Sequence, residues 1–116
     1  MTDSDCLFCK ILRNEIPADI VYESDTAVAF RDINPQAPTH VLIIPRKHIA
    51  TINDIEEDDH AIVGSLYAAA REIAQAEGFS DEGYRAVMNC NEDAGQTVFH
   101  IHLHLLGRRQ FTWPPG

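Results

Sequence analysis

Hydrophobic positions change period several times along the chain, and each change marks an element. Leu7, Ile11 and Leu12 share one face of a short helix over Cys6 to Arg13, with Asp3, Ser4 and Asp5 as caps and Pro17 closing the region. Val21-Tyr22-Glu23 predicts a strand and Ser24-Asp25 a turn. Val28 and Phe30 alternate in a second strand, Thr26 to Phe30. Pro35 and Pro38 make Asp32 to Thr39 a loop. His40 to Ile44 holds the longest clean apolar stretch and predicts a buried strand stopped by Pro45.

Ile62, Leu66, Ala70 and Ile73 then recur at helical spacing, with Val63 and Ala74 beside them. They predict one long helix over Asn53 to Glu77. Acids at Asp54, Glu56, Glu57, Asp58 and Asp59 suit its positive end, and Gly78 sits where a C-terminal cap belongs. Tyr84 to Asn89 and Phe99 to Leu106 predict two more strands, joined by the turn-rich segment Asn91 to Gly95. Strands on both sides of one long helix imply an α+β architecture. No repeat or linker divides the 116 residues, so a single domain over 1–116 is expected.

Charge narrows the function. Eighteen acidic residues against nine basic ones leave a net −9, which argues against a general nucleic-acid binder. A small anionic ligand stays possible, because a local site can oppose the overall field. No run of about 18 apolar residues suggests a membrane span. The acidic start, Met1 to Asp5, is unlike a secretory signal. Three Cys is an odd count that argues against a disulfide framework and for a reducing, cytoplasmic setting.

The chemistry concentrates in His100-Ile-His-Leu-His-Leu-Leu106. A strand would put His100, His102 and His104 on one face and Ile101, Leu103 and Leu105 into the core. A solvated face is the bland alternative, but three of the six His on consecutive same-face positions argue against it. Same-face neighbours lie about 7 Å apart, so three charged rings would repel and at least one should stay neutral. One metal held by all three is rejected. The outer pair are about 13 Å apart at Cα, whereas a Zn–N bond is about 2 Å. Nucleophilic catalysis by the central ring fits better, since histidine can form a transient bond to phosphorus. Just upstream, Gly95-Gln-Thr-Val98 offers backbone N–H groups and a hydroxyl to an oxyanion.

His-apolar-His-apolar-His-apolar-apolar resembles the signature of the histidine-triad (HIT) superfamily. Asp32-Ile-Asn-Pro-Gln-Ala-Pro-Thr-His40, Ile44-Pro-Arg-Lys-His48, Gly95-Gln-Thr-Val-Phe-His100 and the tail from Leu106 to Gly116 are similar to its Hint branch. The likeness runs from Phe8 to Gly116. It implies a HIT-like fold: a five-stranded antiparallel sheet, one short N-terminal helix and one long helix, with a homodimer joining two sheets into ten strands. It also implies a purine nucleoside phosphoramidase that cleaves P–N bonds. His102 would attack phosphorus, with His104, His40 and Thr97 as the other catalytic groups. Asn89, Gly95, Thr97 and Val98 would meet phosphate oxygens or position the leaving group, and Asp32 would hold the ribose. Leu7, Phe8, Ile11, Phe30 and Ile33 would line the base pocket, although ordinary core explains most of them equally well. Thr97 stands where the family commonly has Ser.

Cys6-Leu-Phe-Cys9 has the spacing of a zinc half-site, a redox pair or two core cysteines. A redox pair normally follows a strand, and none precedes this one. The resemblance implies structural zinc on Cys6, Cys9, His48 and His100. Cys90 reads as a free thiol and His60 as an exposed residue. Trp113-Pro-Pro-Gly116 is a stiff apolar tail that packs either on its own subunit or, by the resemblance, at the partner's active-site edge. Competing functions are a dinucleoside polyphosphate hydrolase, a nucleotidyl transferase, and a zinc-stabilised nucleotide-binding module.

Overall fold

The computed structural model describes residues 5–116. Its elements are helix α1 (Leu7–Leu12), strands β1 (Ile20–Glu23), β2 (Ala27–Arg31) and β3 (Thr39–Pro45), helix α2 (His60–Glu77), and strands β4 (Tyr84–Val87) and β5 (Leu103–Gly107). The five strands form one antiparallel sheet in the order β1-β2-β3-β5-β4. The expected α+β class and strand count stand.

Both faces of the sheet centre are covered, which is why β2 and β3 read as continuous apolar runs. On one face Ala27, Ala29, Val41, Ile43, Leu103 and Leu105 pack under Leu66, Ala69 and Ile73 of α2. On the other, Val28, Phe30, Leu42 and Ile44 pack under Phe8 and Ile11 of α1. His40 and His104 alternate with the first set and therefore lie on the α1 face. Among the described residues no helix is long and apolar enough to cross a membrane.

Three expectations need correction. The helix over Asn53 to Glu77 is broken, and only His60–Glu77 is α-helical. Its early acids cap short 3₁₀ turns instead of extending the helix: Asp54 accepts the Thr51 N–H at 3.1 Å and Asp59 the Glu56 N–H at 3.0 Å. Gly78 does close the helix, in the left-handed conformation at φ 84°. The last strand begins at Leu103, not Phe99, because its partner runs out. Pro45 ends β3, and the Ile101 N–H turns to the Ile49 carbonyl at 2.8 Å. Similarly, β4 stops at Val87 rather than Asn89.

At the start, Cys6 caps α1, its sulfur accepting the Cys9 N–H at 3.3 Å. The expected caps Asp3 and Ser4 lie outside the described residues. Leu7 does not share the buried face with Ile11; it is 44% exposed. Trp113 is 82% exposed, so the tail is not packed through its indole.

Candidate active site and metal centre

Strand register lays the site out in rows across the α1 face. Phe30, Leu42, His104 and Val87 pair in sequence across β2, β3, β5 and β4, and His40, Leu106 and Arg85 form the next row. The apolar end of the first row lies under α1, where Phe8 meets Phe30 edge-on at 5.4 Å between ring centroids. The same Phe8 ring meets His102 at 5.1 Å and His100 at 5.9 Å.

Hydrogen bonds fix the tautomers of the three inner rings. His102 Nδ1–H donates to the His100 carbonyl at 2.8 Å, since a carbonyl can only accept. The lone pair of His102 is therefore on Nε2. The Gln36 backbone N–H donates to His40 Nδ1 at 3.0 Å, placing the His40 proton on Nε2. That Nε2 lies 2.9 Å from His104 Nδ1 and 3.4 Å from an Asp32 oxygen. His104 thus accepts at Nδ1 and carries its own proton on Nε2. Its ring stands 5.0 Å from that of His102.

Burial keeps these rings uncharged. It lowers the pKa of His40 against the pull of Asp32. It lowers that of His102 against the carbonyl hydrogen bond and Asp32. His104 falls furthest, to about 4, through burial first and then through His102 and His40. The expectation of at least one neutral ring is met. A neutral imidazole with a free Nε2 lone pair beside an N–H donor can attack an electrophile and steady the developing anion.

The remaining predicted residues differ in exposure and backbone conformation. Phe8, Ile11 and Phe30 are buried, whereas Ile33 is fully exposed in the loop before β3. Asp32 is half-buried and caps that loop through the Asn34 N–H at 2.8 Å. Gly95 takes a left-handed φ of 81°, Thr97 is exposed, and Val98 and Asn89 are half-buried.

Gln96 was not singled out by its sequence, yet it holds this loop together. It is buried; its oxygen accepts the Asn91 N–H at 2.9 Å, and its amide nitrogen donates to Ala50 and Val98 carbonyls at 2.9 and 3.1 Å. The only sequence signal was an amide between a glycine and a threonine.

The second cluster is Cys6, Cys9, His48 and His100, whose ligand atoms all lie within 4.8 Å of one another. His100 Nδ1 is 3.3 Å from Cys6 Sγ and 3.5 Å from Cys9 Sγ, and His48 Nδ1 is 3.3 Å from Cys9 Sγ. Sulfur–nitrogen edges around a tetrahedral zinc are about 3.5 Å. His100 Nε2–H donates to the Pro45 carbonyl at 2.8 Å, which leaves Nδ1 as a lone pair facing both sulfurs. His100 is completely buried. The donor set fits a four-coordinate metal ion with no open position. His100 thus lies with the two cysteines and His48, the set that the resemblance implies for a metal.

A family model described as HIT domain matches residues 13–111. The chain belongs to the HIT family. Among relatives of this HIT chain, the purine nucleoside phosphoramidase of Escherichia coli (strain K12) is 51% identical over 105 residues, covering 90% of this chain and 88% of that protein. The crystal structure of a HIT family hydrolase from Legionella pneumophila Philadelphia 1 superposes with a TM-score of 0.94 at 61% identity, covering 97% of this chain and 100% of that one. A histidine triad protein from Clostridium difficile gives 0.92 at 41% identity, covering 97% of each.

Proposed function

We propose that this HIT chain is a purine nucleoside phosphoramidase, working through a nucleotidyl-histidine intermediate on His102. The observation that carries this reading is the His102 Nδ1–H bond to the His100 carbonyl, which points an unprotonated Nε2 away from the backbone. Nε2 attacks the α-phosphorus of adenosine 5′-phosphoramidate. The P–N bond breaks, and the departing nitrogen takes a proton from solvent and leaves as ammonia. Water then attacks phosphorus, the electron pair of the P–Nε2 bond returns to His102, and nucleoside monophosphate is released.

Around that centre, His104 Nε2–H donates to a phosphate oxygen, and His40 holds the His104 tautomer. Thr97, Gly95, Val98 and Asn89 meet the remaining oxygens or the leaving group. Asp32 takes the ribose hydroxyls. Phe8, Ile11 and Phe30, with Leu7 and Ile33 at the rim, receive the purine.

Zinc is the ion that suits two thiolates and two imidazoles. It would tie the N-terminal segment to the segment before β5 and supply no open position for water. Reduced thiolates suit a cytoplasmic setting, and we read residues 1–116 as one domain. The free edge of β4 supports a homodimer with a continuous ten-stranded sheet.

Exchange of His102 for Ala tests the reading. Turnover of adenosine phosphoramidate should fall by at least about a thousandfold while AMP binding persists. Ordinary turnover in that variant would refute it.

A further inference from the structure

The tail after β5 reaches back to the loop that leads into β3. Arg109 Nε–H donates to the Gln36 carbonyl at 3.1 Å, across 73 residues of sequence. Gln36 is also the residue whose backbone N–H donates to His40 Nδ1 at 3.0 Å. The two bonds lie on either side of one Cα, so Arg109 restrains the dihedrals that aim this N–H at the ring. The loop is tied within itself as well: the Gln36 side chain donates to the Asn34 carbonyl at 3.0 Å, and Asp32 accepts the Asn34 N–H.

Arg109 is placed to hold a backbone rather than to pair with an acid. Its guanidinium stacks on the Phe111 ring at 4.2 Å from the centroid and also donates to the Gln110 carbonyl at 3.2 Å. Among the described residues, arginine and lysine ion pairs engage Arg13, Arg31, Arg46 and Lys47 but not Arg109, in a chain with twice as many acids as bases. Stacking narrows the rotamers of this exposed side chain, so less entropy is lost in reaching the loop. Arg85 stacks on the same ring at 5.1 Å but donates to the Thr112 carbonyl, within the tail itself. Of the two, Arg109 is the one bonded to the loop before β3.

We propose that Arg109 is a positioning residue: through the Gln36 main chain it fixes the tautomers of His40 and His104. With an N–H facing Nδ1, His40 carries its proton on Nε2 and donates it to His104 Nδ1 at 2.9 Å. If the Gln36 N–H swings away, His40 can take its proton on Nδ1. Its Nε2 then faces His104 as a lone pair, and His104 must carry its own proton on Nδ1. His104 Nε2, the donor to phosphate in the proposed reaction, is left bare. The Asp32 carboxylate opposes that exchange only through a longer contact, 3.4 Å from His40 Nε2. The effect on turnover rests on the phosphoramidase reading, whereas the hold on the rings does not.

The test exchanges Arg109 for Met, which keeps an unbranched stem and removes every N–H donor. Arg85→Met is the control, because it takes the same charge from the same aromatic ring. Long-range proton–nitrogen NMR correlations of the full chain without nucleotide report which nitrogen of each imidazole holds the proton. Wild type should show His40 and His104 protonated on Nε2. In Arg109→Met both should move toward Nδ1–H, and kcat for adenosine 5′-phosphoramidate should fall at least about fivefold with KM changed less than about twofold. Arg85→Met should keep the wild-type tautomers. An unaltered tautomer pattern in Arg109→Met would overturn the inference, whatever the turnover. The same redistribution in Arg85→Met would overturn it too, by tracing the effect to lost charge or a loosened tail. Shifted tautomers with undiminished kcat would leave the hold of Arg109 on the rings standing and sink the part given to His104 in the reaction.

Discussion

His102 hangs from the backbone of His100: the 2.8 Å bond from ring nitrogen to carbonyl oxygen joins the proposed nucleophile to a member of the metal cluster. Loss of the ion would therefore act at two levels. At free zinc about a thousandfold above its Kd, binding contributes about 4 kcal/mol to stability. Chelation should lower the melting temperature accordingly and loosen the carbonyl that fixes the His102 tautomer. Protein purified without chelator should carry one zinc per chain by elemental analysis. A metal-free preparation with reduced cysteines and an unchanged melting curve would remove the metal site.

Neutral His104 ties stability to pH. Its pKa falls from 6.5 to about 4 on folding, so the unfolded chain binds the proton first as pH drops. The ring's contribution is fully present above pH 6.5 and is lost as pH falls from there toward 4. The shift corresponds to about 1–3 kcal/mol, the lower part of that range reflecting solvent screening of a half-exposed ring. Urea denaturation across this window should show wild type losing more stability than His104→Asn. Parallel losses would show that the ring titrates normally in the fold.

Gln96 is expected to matter more than Thr97 for folding. Removing its side chain by Gln96→Ala leaves the Asn91 N–H and the Ala50 and Val98 carbonyls without their buried partner. That should cost about 2 kcal/mol. Gln96→Glu keeps the size but turns an oxygen toward those carbonyls, and should cost at least as much. Thermal melting measures both, and a kcat loss larger than the KM change would place the effect on loop geometry. Two variants melting like wild type would mean the loop is held by other contacts.

Much of this was legible in the chain itself. Period-two alternation in Leu103-His104-Leu105 gave the strand and its faces, and Gly78 ended the long helix where a left-handed residue is needed. The helix start was misread because Asp54 and Asp59 act as side-chain acceptors for their own turns, which charge patterning does not distinguish from favourable helix-end acids. His100 shares its alternation with His102 and His104. Only the loss of ladder pairing at Pro45, a tertiary event, carries it into the cysteine cluster. The arginine pair on Phe111 had no local signature at all, because Arg85 meets the tail across the sheet edge.

The most direct measurement is to quench the protein during turnover of adenosine phosphoramidate and map the adduct by mass spectrometry. One adenylyl group on His102 is the predicted result. An adduct on another residue, or single-turnover product formation with no adduct at any quench time, would contradict the covalent route.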